Sequence, residues 1–297
     1  MTGGDAVRDP SFDRPVFILS SPRSGSTLLF ETLSQAPGVF TIGGESHQMI
    51  EQVAGLAPRD RGFDSNVLEA QDASPGRVDA LRRHFRAALR DRDGLAPPAG
   101  PVRMLEKTPK NALRIRFLSE VFPEARFIFL YRDPRSTLAS MIDAWRSGRF
   151  VTYPRLPGWP PTLPAWSLLL VPGWRELASR PLQEIVRTQW QVTLERILDD
   201  LGALPAGRWT AIDHARFLAD PGAEVKRVCA ALELDWDREL GPRLPLSRYT
   251  LTRPDPDKWK KHAGLIEPLL PGLEPTVARA RQVLAAGGAG QARPPET

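Results

Sequence analysis

Val16 to Phe30, VFILSSPRSGSTLLF, reads as a strand, a tight polar loop and a helix. Val16-Phe17-Ile18-Leu19 is a short apolar run of the kind that fills the middle of a sheet. Ser20 to Thr27 is small and polar and carries one cation, Arg23. Leu28, Leu29, Phe30 and Leu33 then resume at helical spacing, to about Ser34. A helix N-terminus leaves amide N–H groups unpaired and carries partial positive charge, so a phosphate or sulfate fits there. Gly25 permits close approach of the backbone, and the hydroxyls of Ser24, Ser26 and Thr27 add donors.

The same alternation recurs along the chain. Val39 to Ile42 reads as a short extended piece, followed by the turn Gly43-Gly44-Glu45-Ser46-His47 and a helix over Gln48–Leu56. Residues 57–76 read as a surface loop and Val78–Arg90 as a basic amphipathic helix. Val102-Arg103-Met104-Leu105 leads into the polar turn Glu106 to Asn111, with a helix over about 112–121. Phe127 to Tyr131 is the clearest buried strand. It runs into Arg132-Asp133-Pro134-Arg135, where Asp133 suits a helix N-cap and Pro134 the first helical position. Helices over 182–201, 221–232 and about 275–285, with a strand at Trp209–Ile212, complete the reading.

The pattern predicts an α/β fold: three layers, P-loop-like, with a central parallel sheet flanked by helices. Ligands of such sheets sit beyond the carboxyl ends of the strands, so the 20–27, 106–111 and 132–135 segments are expected on one rim. A loose arm over 1–14, a single domain over 15–286 and a disordered tail over 287–297 are expected.

Composition narrows the function. At 297 residues with 41% hydrophobic and 25% charged content, the chain suits a soluble globular protein. It has no apolar run approaching the roughly 20 residues of a membrane span. The N-terminus lacks the apolar centre of a signal peptide. One cysteine, Cys229, excludes an intrachain disulfide and a multi-cysteine metal site, and a cytoplasmic location is the simplest reading. A net charge of +5 without a dense basic run argues against nucleic acid. Lysine occurs only at 107, 110, 226, 258, 260 and 261, and five of these fall in two clusters. Such clusters mark places where a compact ammonium is wanted, or solvated surface.

Two phosphate chemistries compete for the first loop. A P-loop nucleotidase needs G-x-x-x-x-G-K-[ST]; here Gly25-Ser26-Thr27 lacks the lysine, and Ser20-Ser21 stands where the first glycine belongs. Asp133 lies between Arg132 and Arg135, poor company for a magnesium ion. ATP with magnesium is therefore disfavoured, and no metal is expected. Arg132 at a strand end, with Ser140 eight residues on, supplies a second anion site. Two anion sites without metal ligands suggest a nucleotide carrying phosphates at both ends of its ribose.

Here the sequence resembles the PAPS-dependent sulfotransferases, in the form found in bacteria. Ser21 to Leu29 looks like that family's 5′-phosphosulfate loop, and Tyr131 to Arg135 with Ser140 like its 3′-phosphate motif. Asp257 to Lys261 falls where many bacterial members place a basic segment over the cofactor. The resemblance implies in-line transfer of a sulfuryl group from PAPS, leaving PAP, to an acceptor hydroxyl or amine. It assigns Arg23, Ser24, Gly25, Ser26 and Thr27 to the phosphosulfate. Arg132 and Ser140 go to the 3′-phosphate with Lys258 or Lys260, while Trp259 stacks, shields or anchors a loop. Glu45 is the expected general base with His47 as the alternative, and Lys107 is placed to meet the sulfuryl group. His84, His214 and His262 are read as structural or exposed. The acceptor is a small molecule, a sugar or a carrier-bound acyl chain, faced by the Pro/Trp-rich segment 149–174 and the 48–56 helix. The rival readings are a nucleotide kinase and a non-catalytic nucleotide-binding module.

Overall fold

Strand β1, Val16–Leu19, is buried along its whole length because both its faces are covered. It is the middle strand of five in the order β2-β3-β1-β4-β7, every pairing parallel. The other four strands are β2 (Val39–Phe40), β3 (Arg103–Glu106), β4 (Arg126–Tyr131) and β7 (Trp209–Asp213). A separate antiparallel pair is formed by β5 (Val151–Tyr153) and β6 (Trp166–Ser167). The helices are α1 (Ser26–Leu33), α2 (His47–Glu51), α3 (Pro75–Ala88), α4 (Ile115–Val121) and α5 (Pro134–Ser147). They continue with α6 (Leu182–Gly202), α7 (His214–Ala219), α8 (Pro221–Leu232), α9 (Ala263–Ile266) and α10 (Glu274–Gly288). The computed structural model describes residues 11–205 and 207–288.

The period-two alternation of strands sorts the core into two layers. Val16, Ile18, Leu105, Ile128, Leu130 and Ile212 face α1, α7 and α8. Phe17, Leu19, Met104, Phe127 and Phe129 face the larger layer built from α3, α4, α5, α6 and α10. Register sets the rim: Leu19 at the end of β1 pairs with Phe129, and Tyr131 at the end of β4 pairs with Asp213 at the end of β7, so β4 and β7 end together, just past β1. The segments that follow β3, β1, β4 and β7 thus lie side by side.

Several boundaries differ from the sequence expectation. At its described end the N-terminal arm is anchored: Phe12 is buried and bridges Val102 in parallel, and the Asp13 amide donates to the Val102 carbonyl at 3.0 Å. Residues 1–10 lie outside the described residues, as do 289–297 of the expected tail, while Gly287 is within α10. Helix α3 begins three residues earlier than predicted, at Pro75, because Pro at the first helical position follows Ser74. α2 is short, ending at Glu51. The helix expected from 112 is a 3-10 turn over Pro109–Leu113 and then α4.

The Pro/Trp segment departs most. Its tryptophans pack on one another and on α5: Trp159–Trp166 at 4.8 Å, Trp145–Trp166 at 5.4 Å and Trp166–Trp174 at 5.7 Å between ring centres. Such pairs add about 0.5–1.5 kcal/mol each beyond burial. Trp166 and Trp174 are fully buried, so these rings serve the core rather than an acceptor. The segment contributes Phe150, Val151 and Tyr153 to the rim instead.

Candidate active site

The loop after β1 is bent twice into the left-handed region, at Arg23 (φ 65°) and Gly25 (φ 91°). Gly25 is the N-cap of α1 and has no side chain to satisfy the first amides, so Ser26 and Thr27 open a helix whose N-terminal donors face the rim. A Cβ on Gly25 would sit 2.5 Å from the His214 ring. Gly25→Ala is therefore expected to cost about 1–3 kcal/mol through the positive φ alone, and more through displacement of His214. Thermal denaturation checks this, and adding His214→Ala to Gly25→Ala should recover part of the loss.

Within the loop, the Ser21 and Ser24 hydroxyls are 2.8 Å apart. Ser20 Oγ is buried with no hydrogen-bond partner among the described residues. Around these hydroxyls the structure gathers cations. Arg132 donates through Nη1 to the Arg23 carbonyl at 3.0 Å, tying β4's rim to the loop. Arg23 Nε reaches Ser140 Oγ at 3.4 Å, and its guanidinium lies 4.5 Å over the Phe150 ring. Burial, then the nearby Arg132 charge, pushes the Arg23 guanidinium down to about 10, with Arg149 acting in the same direction. Burial also lowers Arg132. Lys258 is lowered by burial first, and Arg132 and Arg23 add repulsion. Mutually repelling cations at a helix N-terminus can hold an anion.

Of the basic C-terminal segment, Lys258 comes toward this cluster and hydrogen-bonds Thr252. Lys260 does not: it is 61% exposed and paired with Asp257 at 2.9 Å. Trp259 sits 5.6 Å from the Arg135 guanidinium and packs on the larger core, which anchors the segment. Asp143 on α5 holds the next two residues, Lys261 at 2.7 Å and His262 at 2.9 Å.

On the other side of the loop lie Glu45, His47 and Lys107. Lys107 is buried and donates to Glu45 Oε1 at 2.7 Å. Glu45 Oε2 is 3.6 Å from His47 Nδ1. His47 is held below its ordinary pKa by burial and then by the Lys110 charge, so its ring is neutral near pH 7. The turn is fastened from beneath by Glu106, which is fully buried at the end of β3. The Glu106 carboxyl accepts from the Ser46 amide (3.3 Å), Thr108 (2.5 Å) and Asn111 (2.6 Å). Burial pushes its pKa up against those three bonds. One turn further, Glu51 binds Lys110 at 2.8 Å and the fully buried Arg114 at 2.7 Å.

Residues 15–159 match the model described as the sulfotransferase family. Over that segment, about half of its length, the chain is similar to the sulfotransferase family. It is 32% identical over 133 residues to nodulation protein NoeE of Sinorhizobium fredii, covering 43% of this chain and 31% of that protein. It is 22% identical over 228 residues to protein-tyrosine sulfotransferase A of Caenorhabditis elegans, covering 76% of this chain and 51% of that one. The chain thus spans about a third to a half of the length of these curated relatives. A solved sulfotransferase from Alicyclobacillus acidocaldarius superposes over 92% of this chain and 96% of its own, with TM-score 0.51 and 18% identity, a likeness of fold.

Three rim residues of this chain were not marked in its sequence as part of the candidate site. His214 opens α7 directly after β7 and lies against Gly25; burial, with Arg132 close by, pushes its pKa down to about 3. Glu106 is the fastening carboxylate beneath Glu45. Its one legible signal is a charged residue closing an apolar strand. Tyr249 accepts from Arg23 Nη2 through its carbonyl at 3.1 Å. His262 is structural and His84 exposed, as expected. Among the described residues no group of three or more His, Cys, Asp or Glu side chains is placed to hold a metal, and no helix is long and apolar enough to cross a membrane.

Proposed function

We propose that the protein transfers a sulfuryl group from PAPS to an acceptor hydroxyl or amine. The observation that carries this is the convergence of Arg23, Arg132 and Lys258 on the N-terminus of α1, beside the unpartnered Ser20 hydroxyl. This donor set fits a dianionic nucleotide end and a second phosphate. Arg23, Ser24, Gly25, Ser26 and Thr27 would hold the phosphosulfate, and Arg132, Ser140 and Lys258 the 3′-phosphate. The bound nucleotide supplies an activated sulfuryl group with a phosphate leaving group. The chain's own contribution is electrostatic: fixed amides and guanidinium groups stabilise charge without reorganising.

Glu45 is assigned as the base that takes the acceptor's proton. Lys107 fixes one carboxylate oxygen and leaves Oε2 to accept; the neutral His47 beside it adds no competing charge. Similarity to bacterial proteins supports a bacterial setting, and the free, buried Cys229 suits a reducing cytoplasm.

The test is ligand-dependent stability. At 100 times its Kd, a ligand stabilises the folded state by about 2.7 kcal/mol. PAP is expected to raise Tm well above any shift from ATP with magnesium, and labelled PAPS to yield a labelled acceptor. A larger shift from ATP with magnesium would overturn the reading. PAP binding with no transfer to any acceptor would favour a binding module instead.

A further inference from the structure

We propose, resting on the sulfotransferase reading above, that Tyr249 is a specificity-determining residue: it walls the acceptor site and selects acceptors with a flat apolar body. Tyr249 belongs to a turn over residues 247–250, closed by the Thr250 amide donating to the Ser247 carbonyl at 3.0 Å. Arg248 clamps that turn across the site. Its Nε donates to Glu31 of α1 at 2.7 Å, and its Nη1 to the Gly43 carbonyl, two residues before Glu45, at 2.8 Å. Tyr249 therefore bridges the two halves. Its carbonyl accepts from Arg23, and its ring lies 5.6 Å from the Lys107 ammonium that holds Glu45.

So fixed, Tyr249 remains 41% exposed. Across Arg23 stands the Phe150 ring, next to Val151, which is 37% exposed. The Tyr153 ring lies 5.2 Å from Lys110, so two tyrosines flank the two lysines of one rim turn. The walls offer aromatic and aliphatic surface. The polar floor is engaged: Glu45 by Lys107, Glu51 by Lys110 and Arg114, and the Tyr153 hydroxyl by Asn66 at 2.6 Å. A sugar needs many unengaged hydrogen-bonding groups around its ring, whereas a flat apolar body needs the walls the structure provides.

The experiment measures equilibrium binding of p-cresol, n-butanol and methyl glucoside to the PAP-loaded protein, in wild type, Tyr249→Ala and Tyr249→Phe. The backbone carbonyl that meets Arg23 survives both substitutions, so PAP affinity is the control and should stay within about twofold. Wild type should bind p-cresol in preference to the other two probes. Tyr249→Ala should weaken p-cresol at least tenfold with n-butanol unchanged, and Tyr249→Phe should keep wild-type affinity. Equal weakening of all probes, no change in p-cresol, or a wild-type preference for the glucoside would overturn the proposal. Because binding is read without turnover, a Tyr249-dependent p-cresol site in a protein that moves no sulfate would uphold this inference while sinking the sulfotransferase reading.

Discussion

Arg132→Met should weaken PAP binding by about 100-fold and leave Tm unchanged or slightly raised. One charge-assisted hydrogen bond to a phosphate is worth about 1.5–3 kcal/mol, and 100-fold is about 2.7 kcal/mol. The absence of a stability loss follows from the like charges. Arg132 is buried and stands near Arg23, whose guanidinium it helps to push down to about 10. Removing one cation relieves that repulsion. Against the gain stands one lost bond, from Arg132 Nη1 to the Arg23 carbonyl, worth about 1 kcal/mol. Calorimetric titration with PAP and a denaturation curve without ligand measure the two effects separately. Undiminished PAP affinity would remove Arg132 from the 3′-phosphate site. A large fall in Tm would make its role structural.

That trade between binding and stability marks which parts of the site a sequence can reveal. The loop after β1 and the Asp133 cap of α5 are local devices. Ser-rich turn, glycine and helix lie within a dozen residues, and Asp133 accepts from the amides of Arg135 and Ser136 as its position implies. The parallel sheet follows from the same strand–loop–helix units. Tyr249 is different. It meets Arg23 across 226 residues of sequence, and nothing in its own surroundings announces that contact. His214 reaches Gly25 because β7 ends beside β4, a fact of sheet order. Glu106 gains its role only once the turn at Ser46 folds onto β3's end. The tryptophans show the converse. Composition revealed an aromatic-rich segment but not the direction of its rings, and packing of Trp159 and Trp166 on Trp145, and of Trp174 on Trp159, claimed them for the core.

Glu45→Gln should reduce kcat by about 10²–10⁴-fold, the range general base catalysis contributes, and leave PAP affinity within about twofold. The amide keeps the size of the side chain and can still accept from Lys107, so the 43–47 turn, fastened by Glu106 and Thr108 to the Ser46 amide, should hold its shape. What is lost is the Oε2 proposed to take the acceptor's proton. The carboxylate also offsets the buried Lys107 charge, so part of the effect will appear as weaker acceptor binding; single-turnover rates at saturating acceptor isolate the chemical step. His47→Gln provides the contrast. Its imidazole is held below 6.5 by burial and Lys110, so if it were the base, activity would fall only as pH drops through that lowered value, and the acid limb would vanish in His47→Gln. The expected result is the reverse: a preserved acid limb in His47→Gln, with a modest loss of rate, and a collapsed rate in Glu45→Gln. Full turnover in Glu45→Gln would pass the proton-accepting role to His47, whose Nδ1 already stands 3.6 Å from the carboxylate.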